Sequence, residues 1–543
     1  MFKYLLKINL TKMKRRNFIK ATSAAMTLPI LVNGMGVQAI AKSSLFSSLN
    51  DDSDRVLVLI QLNGGNDGLN MIVPLDQYDK LANARSNILI PESSLLDVND
   101  LVGFHPAMTG LKSLHDDGNL TIVQSVGYAN QNRSHFRSTD IWNTASEANE
   151  FLTTGWLGRF FNEDHPTFPE NYPNDDYQDP FAITIGSLVS ETCQGIGGNY
   201  SLAINDPFNL NPLASVGIDE VPDTPYGEEL TFLRTSIEQT NAYSEVIGDA
   251  ATLGNTMATY PDGNRLGEQL RNVATLISGG LKTKVYIVSL GGFDTHANQT
   301  VDGNPLNGAH ADLLNILSDA ITAFQNDLKL LGLEERVMGM TFSEFGRRIR
   351  SNASFGTDHG DAAPLLVFGN CINPGFIGEN PEIPDSPGVQ DGVAMQHDFR
   401  DVYGSVLVDW FEVEEEKVKD LLYADFQYIS ILDPCGGTIT PNDWPNTPSP
   451  YNPNKYSIVI DHGNFPNPFR ERTNIEFELE KEGFVGLSVF NGSGQKIVDL
   501  VHKTLYAGKH QVKFDASTLP PGNYYYHIQT AGAQRTKLMV KVR

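Results

Sequence analysis

Apolar residues along this chain gather in short runs, and a polar cluster follows nearly every run. "RVLVLIQL" (55–62) leads into "NGGND" and ends on Asp67; "LTIVQSV" (120–126) precedes "NQNRSHFRSTD" (130–140). "KVYIVSL" (284–290) precedes "GGFDTHANQ" (291–299), and "RVMGMTF" (336–342) precedes "SEFGRR" (343–348). Runs of this length read as buried strands. Between the strands expected at Val285–Leu290 and Val337–Phe342, six apolar residues fall on one helical face: Leu314, Leu317, Ile321, Phe324, Leu328 and Leu331. That is a β-α-β unit, and its crossover predicts an α/β fold with a doubly wound, mostly parallel sheet covered by helices. Ligand sites in such sheets collect beyond the carboxyl ends of the strands. Residues 161–230, rich in Pro, Asp and Asn, read as loops or an insertion over that edge.

The pattern changes at a Pro/Asn/Gly-rich stretch, 433–457, which has no apolar periodicity and reads as a linker. Beyond it, "NIEFELE", "FVGLSVFN", "HQVKFDAS" and "NYYYHIQT" alternate apolar and polar residues between turn residues, predicting a small all-β sandwich over 458–543. This tail resembles the type A sorting domain of the type IX secretion system. The resemblance rests on "NFPNPF" (464–469), "VFNGSGQKI" (489–497), "LYAGKHQVKFDASTLPPGNYYYHI" (505–528) and the basic end "KLMVKVR".

The other end carries a second export feature. Residues 13–41 set Arg15 and Arg16 ahead of a short apolar stretch that closes on Ala39-Ile40-Ala41, so 1–41 reads as an export signal. "RRNFIK" resembles the twin-arginine type. With 543 residues, one large domain over 52–432 is expected beside the small tail. A surplus of 65 Asp+Glu over 40 Lys+Arg argues against a nucleic-acid partner and suits a chain that binds cations. Cys193, Cys371 and Cys435 form no C-x-x-C pair, and no later apolar run reaches the roughly twenty residues of a membrane span. The expected destination is the cell surface or the extracellular space, by way of the periplasm.

The polar clusters contain an inventory for divalent cations. Asp67, Asp294, Glu344 and Asp358 offer oxygen, and His296 and His359 offer nitrogen. Mixed carboxylate and imidazole donors suit zinc, manganese or iron. Ser134, between Arg133 and His135, has the setting of a nucleophile, and Arg133 or Arg137 could pair with an anionic ester.

Taken together, "GGNDGLN", "RSHF", "GGFDTHANQ", "SEFGRR" and "GTDHG" resemble the motif set of the uncharacterised domain-of-unknown-function family fifteen-oh-one, over roughly residues 52–412. That family resembles a distant branch of the alkaline phosphatase and sulfatase superfamily. The resemblance implies paired metals, with Asp67 and Glu344 on one ion and Asp294, His296 and His359 on the other. It implies Ser134 as nucleophile, flanked by Arg133 and His135. Phe345 departs from the pattern, standing where the superfamily's Asp-His-Gly turn supplies histidine. Zinc or manganese is then expected at the histidine site and a harder ion, magnesium or calcium, at the other. The implied function is an exported metal-dependent hydrolase of phosphate or sulfate esters, phosphate ahead because no "C-x-P-S-R" motif occurs. Its partners are the export machinery and an anionic ester or polysaccharide; the alternative is a non-catalytic, metal-stabilised surface binding protein.

Overall fold

In the computed structural model, residues 54–210, 213, 224–301, 304–432, 459–479, 483–491, 496–530 and 534–542 are described. The expected export signal lies outside these residues, as does the whole of the expected linker. A nine-stranded sheet organises the main body. Its strands are β1 (Val56–Asn63), β2 (Leu120–Gly127), β3 (Ala182–Ile185), β4 (Ser201–Ile204), β5 (Val285–Gly291), β6 (Val337–Phe342), β7 (Ala363–Gly369), β8 (Gly375–Ile377) and β9 (His397–Asp398). The order is β8-β2-β7-β6-β1-β5-β3-β4, and β9 also pairs with β2. Every pairing is parallel except those of β7, which runs antiparallel to both β2 and β6.

Period-two alternation within β1 explains why the sheet is covered on both sides. Val56, Val58, Ile60 and Leu62 enter one core, where they meet α1 (Thr109–Asp116), α4 (Pro225–Leu253), α5 (Arg265–Ser278) and α6 (Ala309–Leu331). Leu57 and Leu59 enter the other, with α2 (His135–Thr144), α3 (Trp156–Asp164) and α7 (Phe399–Phe411). Each fully buried aliphatic side chain contributes about 1.5–3 kcal/mol relative to an exposed one. The helical face expected between β5 and β6 forms in α6, with Leu314, Leu317, Ile321, Phe324 and Leu328 all buried. β5 and β6 are not neighbours, because β1 lies between them.

Residues 161–230 differ from their reading as loops. They contribute β3 and β4, which extend the sheet beyond β5. At four residues each, "AITI" and "SLAI" are too short to establish a period against a Pro/Asp-rich background. In the tail, a three-stranded and a four-stranded antiparallel sheet bury Ile475, Phe477, Val485, Leu487, Val489, Tyr526 and Ile528 in one core. Among the described residues no helix is long and apolar enough to cross a membrane.

Below the parallel edge lies a buried polar group, with His105 from the turn before α1 packed edge-to-face on His310 of α6, ring centroids 6.1 Å apart. His310 Nε2 donates to Asn66 Oδ1 at 3.0 Å, while Nδ1 has no hydrogen-bond partner among the described residues. Burial, assisted by the charge of His310, lowers His105 to about 3 against the pull of Asp67. Burial also lowers His310 to about 4, with Asp67 opposing and Arg347 and Arg85 assisting. Both imidazoles take up protons less readily when folded than at the ordinary value of 6.5. The stability they contribute is therefore complete above 6.5 and is lost as pH falls toward their folded values. The expected loss is roughly 3–5 kcal/mol per group. Urea unfolding across this window should show the midpoint falling, less steeply in His310→Gln; equal slopes in the two proteins would contradict the account.

Candidate metal centre

The sheet topology brings the polar clusters to one edge. β1, β2, β5 and β6 end there, delivering Gly64–Asp67, Arg133–His135, Asp294–His296 and Glu344–Arg347. Antiparallel β7 begins there, so Asp358 and His359 arrive by the segment that enters it. The turn after β1 needs its glycines: Gly64 and Gly65 have φ of +121° and +84°. A Cβ on Gly64 would collide with the Asp294 amide, and one on Gly65 with the Phe345 ring.

Arg347 clamps the converging segments. Its fully buried guanidinium donates to the carbonyls of Gly64, Gly65 (2.7 Å), Phe293 (2.8 Å) and Thr357 (2.9 Å), and to Asp294 Oδ1 (2.8 Å). Three loops are thereby tied to the end of a fourth strand. Burial would raise the Asp294 carboxyl, but the hydrogen bond and charge of Arg347 lead the interactions that pull it down.

Three imidazoles face that carboxylate, each anchored from behind. His135 Nδ1 meets Glu344 Oε1 at 2.9 Å, His296 Nδ1 meets Asp358 Oδ1 at 2.9 Å, and His359 Nδ1 meets the Arg133 carbonyl at 2.8 Å. Facing an oxygen acceptor, each Nδ1 carries the proton, and each Nε2 of the neutral ring is left with a lone pair. Those lone pairs point inward. His296 Nε2 and His359 Nε2 are 2.8 Å apart, each 3.1 Å from Asp294 Oδ1, and His135 Nε2 is 3.4 Å from Asp294 Oδ2. Crowding lone pairs against a carboxylate is unfavourable unless a cation or proton lies among them, so the donor set fits a divalent metal. Hydrogen bonding of the distal ring nitrogen is also how protein shells orient metal-binding histidines. Among the described residues, His135, Asp294 and His359 form the group whose ligand atoms all lie within 4.8 Å of one another, with His296 against two of them. Asp294 and His296 are each 44% exposed, so the centre opens to solvent.

The residues expected from the sequence divide accordingly. Asp294, His296 and His359 converge, and His135, expected to flank a nucleophile, joins them. Glu344 and Asp358, expected as ligands, stand behind His135 and His296, against their Nδ1 atoms. Asp67 is 1% exposed and held by Arg85, whose Nη1 reaches both carboxylate oxygens at 2.9 and 2.8 Å, and by Gln299 Nε2 at 2.5 Å. Arg133 is bound bidentately by Asp361 at 2.9 and 2.7 Å, so its guanidinium is not free for an ester. Arg137 is held by Asp140 and by carbonyls of residues 147–150. Ser134 is exposed at the start of α2, and its side chain makes no capping hydrogen bond. Phe345, 1% exposed, packs on His359 and His135 with centroids at 4.6 and 5.0 Å.

Lysine in place of Arg347 keeps the charge but cannot reach four carbonyls and a carboxylate at once. Arg347→Lys should therefore lose on the order of 3 kcal/mol of stability. A urea midpoint equal to that of the wild type would show that the loops hold together without the clamp.

Comparison with known proteins identifies two segments. Residues 275–408 match the family described as protein of unknown function DUF1501, and residues 464–542 match the secretion system C-terminal sorting domain. No curated protein matches the chain. Solved structures with some likeness include a protein in the alkaline phosphatase superfamily from Vibrio parahaemolyticus, at 8% identity and TM-score 0.29, covering 79% of this chain and 76% of that one. The PsFucS1 sulfatase from Pseudoalteromonas sp. has 10% identity and TM-score 0.30, with coverages of 88% and 87%. The phosphonate monoester hydrolase SpPMH from Silicibacter pomeroyi has 10% identity and TM-score 0.30, with coverages of 90% and 89%. Likenesses at these scores carry no inference about chemistry. The sorting domain marks secretion to the cell surface or beyond, and the chain is thus a secreted protein with a DUF1501 segment over 275–408 and a secretion sorting domain over 464–542.

Proposed function

We propose that the chain is an exported metal-dependent hydrolase of phosphate or sulfate esters, with phosphate esters preferred. The observation that supports this most is the lone-pair cage of His135, His296, His359 and Asp294, with each ring fixed through Nδ1. These residues would hold the ion, zinc or manganese, and Glu344, Asp358 and the Arg133 carbonyl would orient them. A bound divalent ion supplies positive charge that stabilises the oxygens of an ester under attack. Ser134 is the candidate nucleophile: its oxygen would bond to phosphorus or sulfur as the leaving alcohol departs, its proton passing to solvent, and water would then release the acid. Arg133 is a positioning residue here, since its carbonyl orients His359 and its guanidinium is held by Asp361.

The second reading is a metal-stabilised binding protein without turnover, favoured by Phe345, an inert ring packed where the superfamily resemblance implies histidine. Either reading requires bound metal. His296→Ala should lose most of the ion on dialysis, and Glu344→Gln and Asp358→Asn should each weaken binding by about 10–100-fold. Elemental analysis of the dialysed proteins measures this, and unchanged metal content in all three would remove the centre. With metal confirmed, aryl phosphates, phosphodiesters and aryl sulfates separate the readings. Turnover lost in Ser134→Ala supports the hydrolase, whereas bound metal without turnover on any ester supports the binding protein.

A further inference from the structure

The superfamily resemblance implies two ions, yet the carboxylates expected to hold the second do not fit one. We propose that this centre takes a single divalent cation, and that the buried guanidinium of Arg85 is the permanent counter-charge of Asp67 in place of a second ion. The inference rests on the metal-centre reading above and specifies its stoichiometry.

Both oxygens of Asp67 are already engaged by buried donors. Arg85 Nη1 bridges both oxygens, Gln299 Nε2 takes Oδ2, and both Asp67 and Arg85 are essentially inaccessible, at 1% and 0% exposed. Arg85 could not swing aside to admit a cation. Its Nε donates to the Ile349 carbonyl at 2.8 Å, its Nη2 to the Arg348 carbonyl at 2.6 Å, and its Nη1 also to Asn70 Oδ1 at 3.2 Å. Moving it away would strand a buried charge without its counter-ion, which is strongly destabilising.

Glu344 is committed through Oε1, which accepts from the Gly64 amide at 2.8 Å and from His135 Nδ1; Oε2 lies 3.4 Å from the Ser343 hydroxyl, whose proton goes to the Leu62 carbonyl at 2.7 Å. Where a further histidine would be needed, Phe345 presents a hydrocarbon ring. The neighbouring carboxylates, Asp358 and Asp361, are paired with His296 and Arg348 and with Arg133 respectively. That leaves Asp294 as the carboxylate of this edge that faces the imidazole lone pairs.

The test is a count of ions on the full chain. Protein loaded with Zn²⁺ or Mn²⁺ and dialysed should hold one ion per chain by elemental analysis. Equilibrium dialysis against millimolar Mg²⁺, Mn²⁺ or Ca²⁺ should add no second. Asp67→Asn should keep that ion with a dissociation constant within about twofold of wild type, as expected for independent sites. Its thermal unfolding separately reports the loss of the buried pair. Two ions on the wild type overturn the inference while leaving the metal centre intact, and this count does not depend on the variant folding. An ion lost in folded Asp67→Asn also overturns it, by showing that Asp67 is a ligand. No ion on the wild type overturns both the inference and the centre.

Discussion

The centre depends on one guanidinium. A parallel sheet brings strand ends to an edge, but loops that leave those ends have no intrinsic reason to stay together. Arg347 supplies that reason by pairing with backbone carbonyls from the turns after β1 and β5 and from the segment before β7. A buried charge requires a full set of partners, so a loop that drifted would leave it under-coordinated. The same group leads the interactions that lower the pKa of Asp294, so the clamp also helps set the charge state of the carboxylate that faces the histidines.

Around it, the site keeps charge nearly balanced through local couples. Arg85 with Asp67, Arg133 with Asp361, and Arg348 with Asp358 each join a cation to an anion from a different segment. The outcome is a rigid rim with a few uncommitted donor atoms at its middle. Phe345 and the two glycines of the first turn serve the same end from the apolar side, because the ring fills the space that the absent Cβ of Gly65 leaves.

Much of this was legible in the sequence. Strand runs, the face of α6 and the habit of polar clusters following strands located both the sheet and the edge. The exact partners were not legible, for a physical reason: a carboxylate's role depends on which cation reaches it first. Asp67 reads as a ligand until Arg85 is placed, and Arg85 sits in a helix, "YDKLANAR", with no cluster around it. Arg347 stands in "SEFGRR", where nothing in its spacing reports burial. His135 carried a usable signal, since it stands after β2 as Asp294 and His296 stand after β5. The β3 and β4 strands were lost to their brevity.

The antiparallel insertion of β7 has a consequence for how the centre comes into being. Its contributors run from Gly64 to Asp361, and the central strand β1 pairs with partners more than two hundred residues later in the chain. Contacts of such long sequence separation form late, after much loop-closure entropy has been overcome. The segment 275–408 carries Asp294, His296 and His359, but neither His135 nor β1. A nascent chain therefore holds scattered imidazoles and carboxylates with no cage to join them. Under the proposed reading, ion capture would be an event of the finished domain, and a captured ion would act as a seal on the completed assembly rather than as its nucleus.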